Sequence, residues 1–258
     1  MRLMKRILSA AAVLALSASL LVGCSSGTAS SVPVSASSAA ESTVSSVEET
    51  ASSAVDENEA AAAQLLNDLT GSYQELWPVI LADEYKQTWL DVCTALVGED
   101  NAEAAFEKLS SMVTGDVYGE DAVEAYANGG GAYFCGFTNS LATLTFDGET
   151  STISGTDKDG NVLFSHTYHY IGMEPVRGLY EFESDDADSG EFTYFFLAPD
   201  TSAETYHIEF RYGSDAEALS QYDAGEYAYW VASGISTDCD QTMIDNCIEL
   251  FCTENLAG

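Results

Sequence analysis

The chain has 258 residues, 46% of them apolar, which is enough for one sizeable core. Its 42 acids against eight basic residues give a formal net charge of −34. Such a surface repels phosphate backbones and argues against nucleic acid as a partner. It serves solubility first and draws cations only diffusely.

Taken in chain order, residues 1–6 are basic through Arg2, Lys5 and Arg6, and residues 7–22 are apolar or small. That pattern predicts a secretory signal over residues 1–23. Its apolar run is too short for a comfortable span, which takes about 20 residues. Leu21-Val22-Gly23-Cys24 resembles the bacterial lipobox. The resemblance implies that Cys24 becomes the mature N-terminus and carries acyl chains of the palmitate class. The mature protein would then be a lipoprotein anchored to the extracellular (or periplasmic) face of the cell membrane. Without the signal, five basic residues remain (Lys86, Lys108, Lys158, Arg177, Arg211) against 42 acids, a balance of −37. Residues 24–58 are rich in Ser, Ala, Val, Thr and Glu, with one proline (Pro33) and no aromatic residue. Such a segment cannot bury enough apolar surface to order itself and predicts a disordered tether. No later composition break follows, so residues 59–258 read as one domain.

Apolar spacing predicts helices over 57–69, 83–97, 100–114 and a C-terminal helix opened by a capping box of Thr237 and Asp240. Met243, Ile244, Cys247, Ile248 and Phe251 form its buried stripe. Between residues 131 and 212 the period changes to two. Strands are predicted over 133–138, 141–146, 151–154, 162–171, 178–182, 192–197 and 205–212, with hairpin turns at Asp147-Gly148 and Asp159-Gly160. Short antiparallel strands in succession predict a mainly β fold with flanking helices, an up-and-down barrel or a sandwich.

Cysteines 93, 135, 239, 247 and 252 include no CxxC pair, so a cysteine-based zinc site finds no support in their spacing. Buried thiols or one disulfide remain as readings, the odd count leaving at least one thiol unpaired. Cys247 and Cys252 would point to different faces of their helix. No G-x-S-x-G motif is present, and Cys135 has no histidine near it in sequence, so it reads as core. The acids are too many to single out a glycosidase pair. An enzyme is not expected.

Gly71-Ser72-Tyr73-Gln74-Glu75-Leu76-Trp77-Pro78 resembles the G-x-W-Q-S-x-Y-P opening of the ZinT family of secreted bacterial zinc-binding proteins. In the same order, Val176-Arg177-Gly178-Leu179-Tyr180-Glu181-Phe182 resembles its G-V-R-Y-L-F segment. Tyr206-His207-Ile208 with Tyr212-Gly213-Ser214-Asp215 resembles its H-F-H-I-F and G-N-D segments, and Tyr229-Trp230 leading to a final helix resembles its ending. The match runs from about Leu69 to Phe251. It implies a calycin-like antiparallel barrel preceded by helices and closed by a C-terminal helix. It also implies zinc as the cofactor and a metal importer as the partner.

The family's zinc is carried by an isolated histidine and an H-x-H pair, which strand alternation puts on one face. In this chain the isolated histidine falls at about Phe195 and the first of the pair at Thr205; only His207 is retained. One imidazole and one hydroxyl do not make a zinc site. Glu209 lies on the same strand face as His207, about 7 Å along, and the pair is the candidate metal site, presented to the barrel interior. Asp200 and Glu204 stand nearby in the preceding loop. A site of one histidine with carboxylates is harder, weaker and less selective for zinc. In the competing reading Glu209 faces solvent or bonds a barrel tyrosine.

His166 and His169 sit three apart, on opposite faces of a strand, so at most one can join His207. Asp157-Lys158-Asp159-Gly160-Asn161 starts like an EF-hand loop, but Val162 and Tyr168 occupy the positions that need Gly and Glu. A hairpin turn explains it better. The acidic run 185–190 reads as a solvated loop that binds Ca²⁺ weakly. The expected function is therefore a membrane-anchored extracellular protein that binds a divalent cation, zinc-related, through an altered site. The alternative is a barrel that has lost the metal and binds a small apolar or aromatic ligand, or a protein partner.

Overall fold

Residues 57–199 and 207–256 are described by a computed structural model. The expected signal, Cys24 and the tether up to residue 56 lie outside the described residues, as do Asp200, Glu204 and Thr205.

Eight strands form a closed antiparallel barrel in simple chain order. They are β1 (Gly71–Glu75), β2 (Thr143–Asp147), β3 (Thr152–Thr156), β4 (Val162–Met173), β5 (Tyr180–Ser184), β6 (Tyr194–Leu197), β7 (His207–Gly213) and β8 (Ala232–Ser236). β8 closes on β1 through Tyr73↔Ser236 and Glu75↔Gly234. Register shifts after Gly155 and at Tyr170/Gly172 interrupt β3–β4 and β4–β5 pairing, as bulges that bend a sheet toward closure do. Helix α1 (57–68) precedes β1. Between β1 and β2 come α2 (Leu76–Ile80), α3 (Lys86–Val97), α4 (Glu99–Val113) and α5 (Glu120–Ala127). The short α6 (Ala216–Leu219) follows β7, and α7 (Gln241–Leu256) ends the described chain.

Alternation fills the barrel. Leu144, Phe146, Ile153, Phe164, Tyr168, Phe182, Phe195, Phe210 and Tyr212 share one buried cluster, as expected for eight strands whose interior is just wide enough for side chains. Ala62, Leu65 and Leu66 of α1, and Leu69 just after it, join that cluster across the β2–β3 end. There Gly148 is required: a Cβ would stand 2.4 Å from the Asn67 Cα. Helices α2, α3, α4 and α7 build a second core against the outer wall, with Trp89, Leu109, Ile235 and Cys252 fully buried. Phe251 meets Trp77 and Trp89 edge-on at 4.7 and 6.0 Å, and the Trp89 Nε1 donates to the Ile80 carbonyl at 2.7 Å.

Three expectations need correction. Residues 133–138 form no strand. Phe134 makes one isolated parallel bridge to Trp230 and one antiparallel bridge to Thr114, and β8 already has β1 and β7 as ladder partners. The barrel is closed instead by β1 and β8, which the alternation did not show. β8 is buried on both faces, Ala232 toward the barrel core and Ile235 toward the helices, so no polar face alternates with an apolar one. The C-terminal helix is capped by Asp240, whose Oδ1 accepts from the Met243 N–H at 3.0 Å, not by Thr237. Thr237 bonds the Ser72 carbonyl through its N–H and hydroxyl and so ties β1 to the approach to α7.

Candidate metal centre

On β7 the bulky residues Ile208, Phe210 and Tyr212 take the interior, which forces His207, Glu209 and Arg211 onto the outer face. The expectation of an inward imidazole is thereby corrected. His207 stands opposite Ile235 and Glu209 opposite Ser233. His207 is half-buried and Glu209 exposed. Both line a cleft of about 30 Å³ between the wall and helices α2 and α7, floored by Leu76, Trp77, Ile80 and Phe251. Helix α7 contributes Cys247 and Glu254 to the same cleft. The sequence reading missed Glu254, although it sits on the helix face of Cys247 two turns on.

These residues do not fit a zinc ion as the family resemblance would have it. Among the described residues no three His, Cys, Asp or Glu side chains group to hold a metal. His207, Glu209 and Glu254 each already interact with a neighbouring group. Burial, together with the charge of Glu209, pushes the Cys247 thiol up to about 12, so without a metal it keeps its proton. Phe195, where the resemblance puts the isolated histidine, points into the barrel, paired with Tyr212. A histidine there would stand on the wrong side of the wall from His207. The donors that line the cleft are one imidazole and two carboxylates, around a space of about 30 Å³ that admits one or two water-sized groups.

The other two histidines take opposite faces of β4 as expected, and neither lines this cleft. Each holds an acid of the 185–190 loop. The His166 Nδ1 lies 2.8 Å from Asp186 Oδ2, and the His169 Nδ1 lies 2.7 Å from Asp185 Oδ1. Ser189 donates to Ser184 Oγ and to the Asp186 carbonyl at 2.7 and 2.9 Å. The loop is thus tied down. Two successive acids opposite histidines of opposite phase were the available signal. Asp157 spends its Oδ1 on the N–H groups of Asp159 and Asn161, both at 2.9 Å. The Asn161 side-chain amide donates to the Asp157 Oδ2 at 2.8 Å, and that bond first, then those from the N–H groups, lowers the carboxyl's pKa; the hairpin reading of this stretch holds.

Arg211, on the same outer face as His207, is fully buried. Its guanidinium donates to the carbonyls of Leu219, Gln221 and Tyr227. The ring of Tyr222 is sandwiched between it, at 4.4 Å, and the guanidinium of Arg177, at 4.1 Å. Buried Glu174 completes the cluster, accepting from the N–H groups of Val176 and Arg177 at 2.8 and 2.6 Å. A second space lies between α2 and the end of α4. This cavity of about 330 Å³ is lined by Glu75, Trp77, Leu81, Val113, Phe134 and Cys135, among others. Glu75 Oε1 accepts from the Phe137 N–H at 2.6 Å. Burial pushes the Cys135 thiol up to about 12.

No protein-family model matches the sequence, and no curated protein matches it. Among solved structures, the chain is similar to the Zn(II)-bound ZinT-like domain of Streptococcus pneumoniae AdcA. The TM-score is 0.45 at 16% identity, over 71% of this chain and 89% of that one. It is also similar to Zn(II)-bound AdcA from Streptococcus pneumoniae, with a TM-score of 0.42 at 15% identity over 72% of this chain. This chain spans 35% of the length of that protein.

Proposed function

We propose that the chain is a lipid-anchored extracellular binding protein, not an enzyme, and that it captures a divalent cation weakly at the cleft between β7 and α7. The observation that carries this reading is that His207, Glu209 and Glu254 line one small cleft, where among the described residues they do not close into a three-ligand group. Support also comes from the order of ZinT-like motifs along the chain and from the signal and Cys24 pattern. The donor set implies an altered, zinc-related site: water must complete it, and its affinity falls in the range of oxygen-rich extracellular sites, about 10⁻⁴–10⁻³ M. Delivery to a metal importer is the role such a tethered buffer would serve.

Calorimetric titration of the full chain with Zn²⁺ tests this. Binding in that range, weakened at least about tenfold by His207→Ala and by Glu254→Gln, supports the cleft. Binding that ignores both substitutions refutes it, as does affinity tight enough to require a full zinc site. For the anchor, Cys24→Ser should release the protein from membranes into the medium. A second reading rests on the cavity beside Trp77, whose apolar walls suit a small aromatic ligand. Uptake of such a compound, unaffected by His207→Ala, would favour it.

A further inference from the structure

Cys93 of α3 and Cys252 of α7 lie 159 residues apart in sequence, yet their sulfur atoms are 4.0 Å apart. Both are fully buried in the helical core. From this placement we infer that Cys93 and Cys252 are the pair that forms a disulfide, a covalent staple between α3 and α7. A bond needs the sulfurs to close to about 2.05 Å, which a modest rotation of each side chain supplies between helices already in contact. Of the remaining thiols, Cys239 lies near enough to Cys247 to raise its pKa but is only half-buried, and Cys135 is buried apart from the Cys93–Cys252 contact.

The oxidant is a small disulfide of the glutathione type, as an exported chain meets. The Cys93 thiolate attacks one sulfur of that disulfide, expelling one thiol and leaving a mixed disulfide. The Cys252 thiolate then attacks the Cys93 sulfur and expels the second thiol. The pair loses two electrons and two protons, and the donor is reduced to two thiols. Burial raises the pKa of both thiols once the helices are docked, so exchange belongs to the stage before α7 seats, and the finished bond is shielded from reductant. Cys252 lies in the last two turns of α7, the part of a helix that frays most easily.

The test uses the full chain, refolded with oxidised and reduced glutathione, then alkylated without reduction and mapped by mass spectrometry. The expected result is a peptide joining Cys93 to Cys252, lost in Cys93→Ala and in Cys252→Ala but kept in Cys135→Ala and Cys247→Ala. The unfolding midpoint should drop on reduction in the parent and stay put in Cys93→Ala. If both cysteines are alkylated after refolding in oxidant, or the bridge maps to another pair, the inference is overturned. Because the oxidant is supplied, failure here leaves the question of export untouched, and metal capture is read independently.

Discussion

Arg211→Met is the sharpest test of how the outer wall of β7 is held. The guanidinium is fully buried and serves three carbonyls, those of Leu219, Gln221 and Tyr227. Methionine approximates the stem but donates nothing. Each carbonyl left dry costs about 1–3 kcal/mol, so the raw loss is roughly 3–9 kcal/mol. Two terms reduce it. Removing the charge recovers its desolvation, signalled by the lowered pKa of Arg211 and its unpartnered buried Nε. The carbonyls can also recruit water as the 214–230 segment loosens. A net loss of about 3–5 kcal/mol remains, a large share of the ~5–15 kcal/mol that holds a typical domain. Urea unfolding of the full chain, followed by tryptophan emission, measures it. Arg177→Met, which removes the more exposed face of the Tyr222 sandwich, should cost about 1 kcal/mol. If Arg211→Met moves stability by less than about 1 kcal/mol, the three carbonyls are not held by the guanidinium as described.

The remaining expectations concern pH, packing and the loop of acids. Burial raises Cys135 and Cys247 from 9.0 to about 12, and Tyr222 from 10.0 to about 12. The folded chain therefore keeps protons that the unfolded chain sheds, and stability is full below pH 9, then falls as pH rises toward 12. Urea midpoints between pH 7 and 11 should be flat and then decline, with a shallower decline in Cys247→Ala; a flat profile throughout would contradict the burial of these groups. Gly148→Ala forces α1 away from the β2–β3 turn and should cost about 1–3 kcal/mol by thermal melting. Phe251→Ala removes a ring that touches both Trp77 and Trp89 and should cost about 3–5 kcal/mol. His166→Ala breaks a pair whose acid is half-exposed and should change stability by less than about 1 kcal/mol.

How much of this was legible in sequence follows from the physics of each element. Period-two runs with apolar, mostly aromatic, residues on one face exposed β2 to β7, because those strands separate a filled interior from a more polar exterior; β3 shows it through Ile153 alone. Residues 71–75 and 232–236 escaped. The first is short and carries one inward aromatic residue, Tyr73; the second, Ala-Ser-Gly-Ile-Ser, is buried on both sides and shows no alternation. The pairing of His207 with Glu209 on one face was readable from parity alone. Which side of the wall that face occupied was not, since it depends on the helices packed outside. Glu254 was invisible for the same reason: 45 residues separate it from Glu209, and only the docking of α7 brings them to one cleft. The 330 Å³ cavity depends on how α2 meets α4 and has no local signature.

The aromatic filling of the barrel has a consequence for how this molecule can diversify. A solid post cannot store cargo, so new binding preferences must arise on its cladding. Substitutions in α2 and α7 can reshape the seam without touching the ladder that gives the post its strength. Trp77, facing the hollows on either side of that seam, would report a guest in either one through its fluorescence.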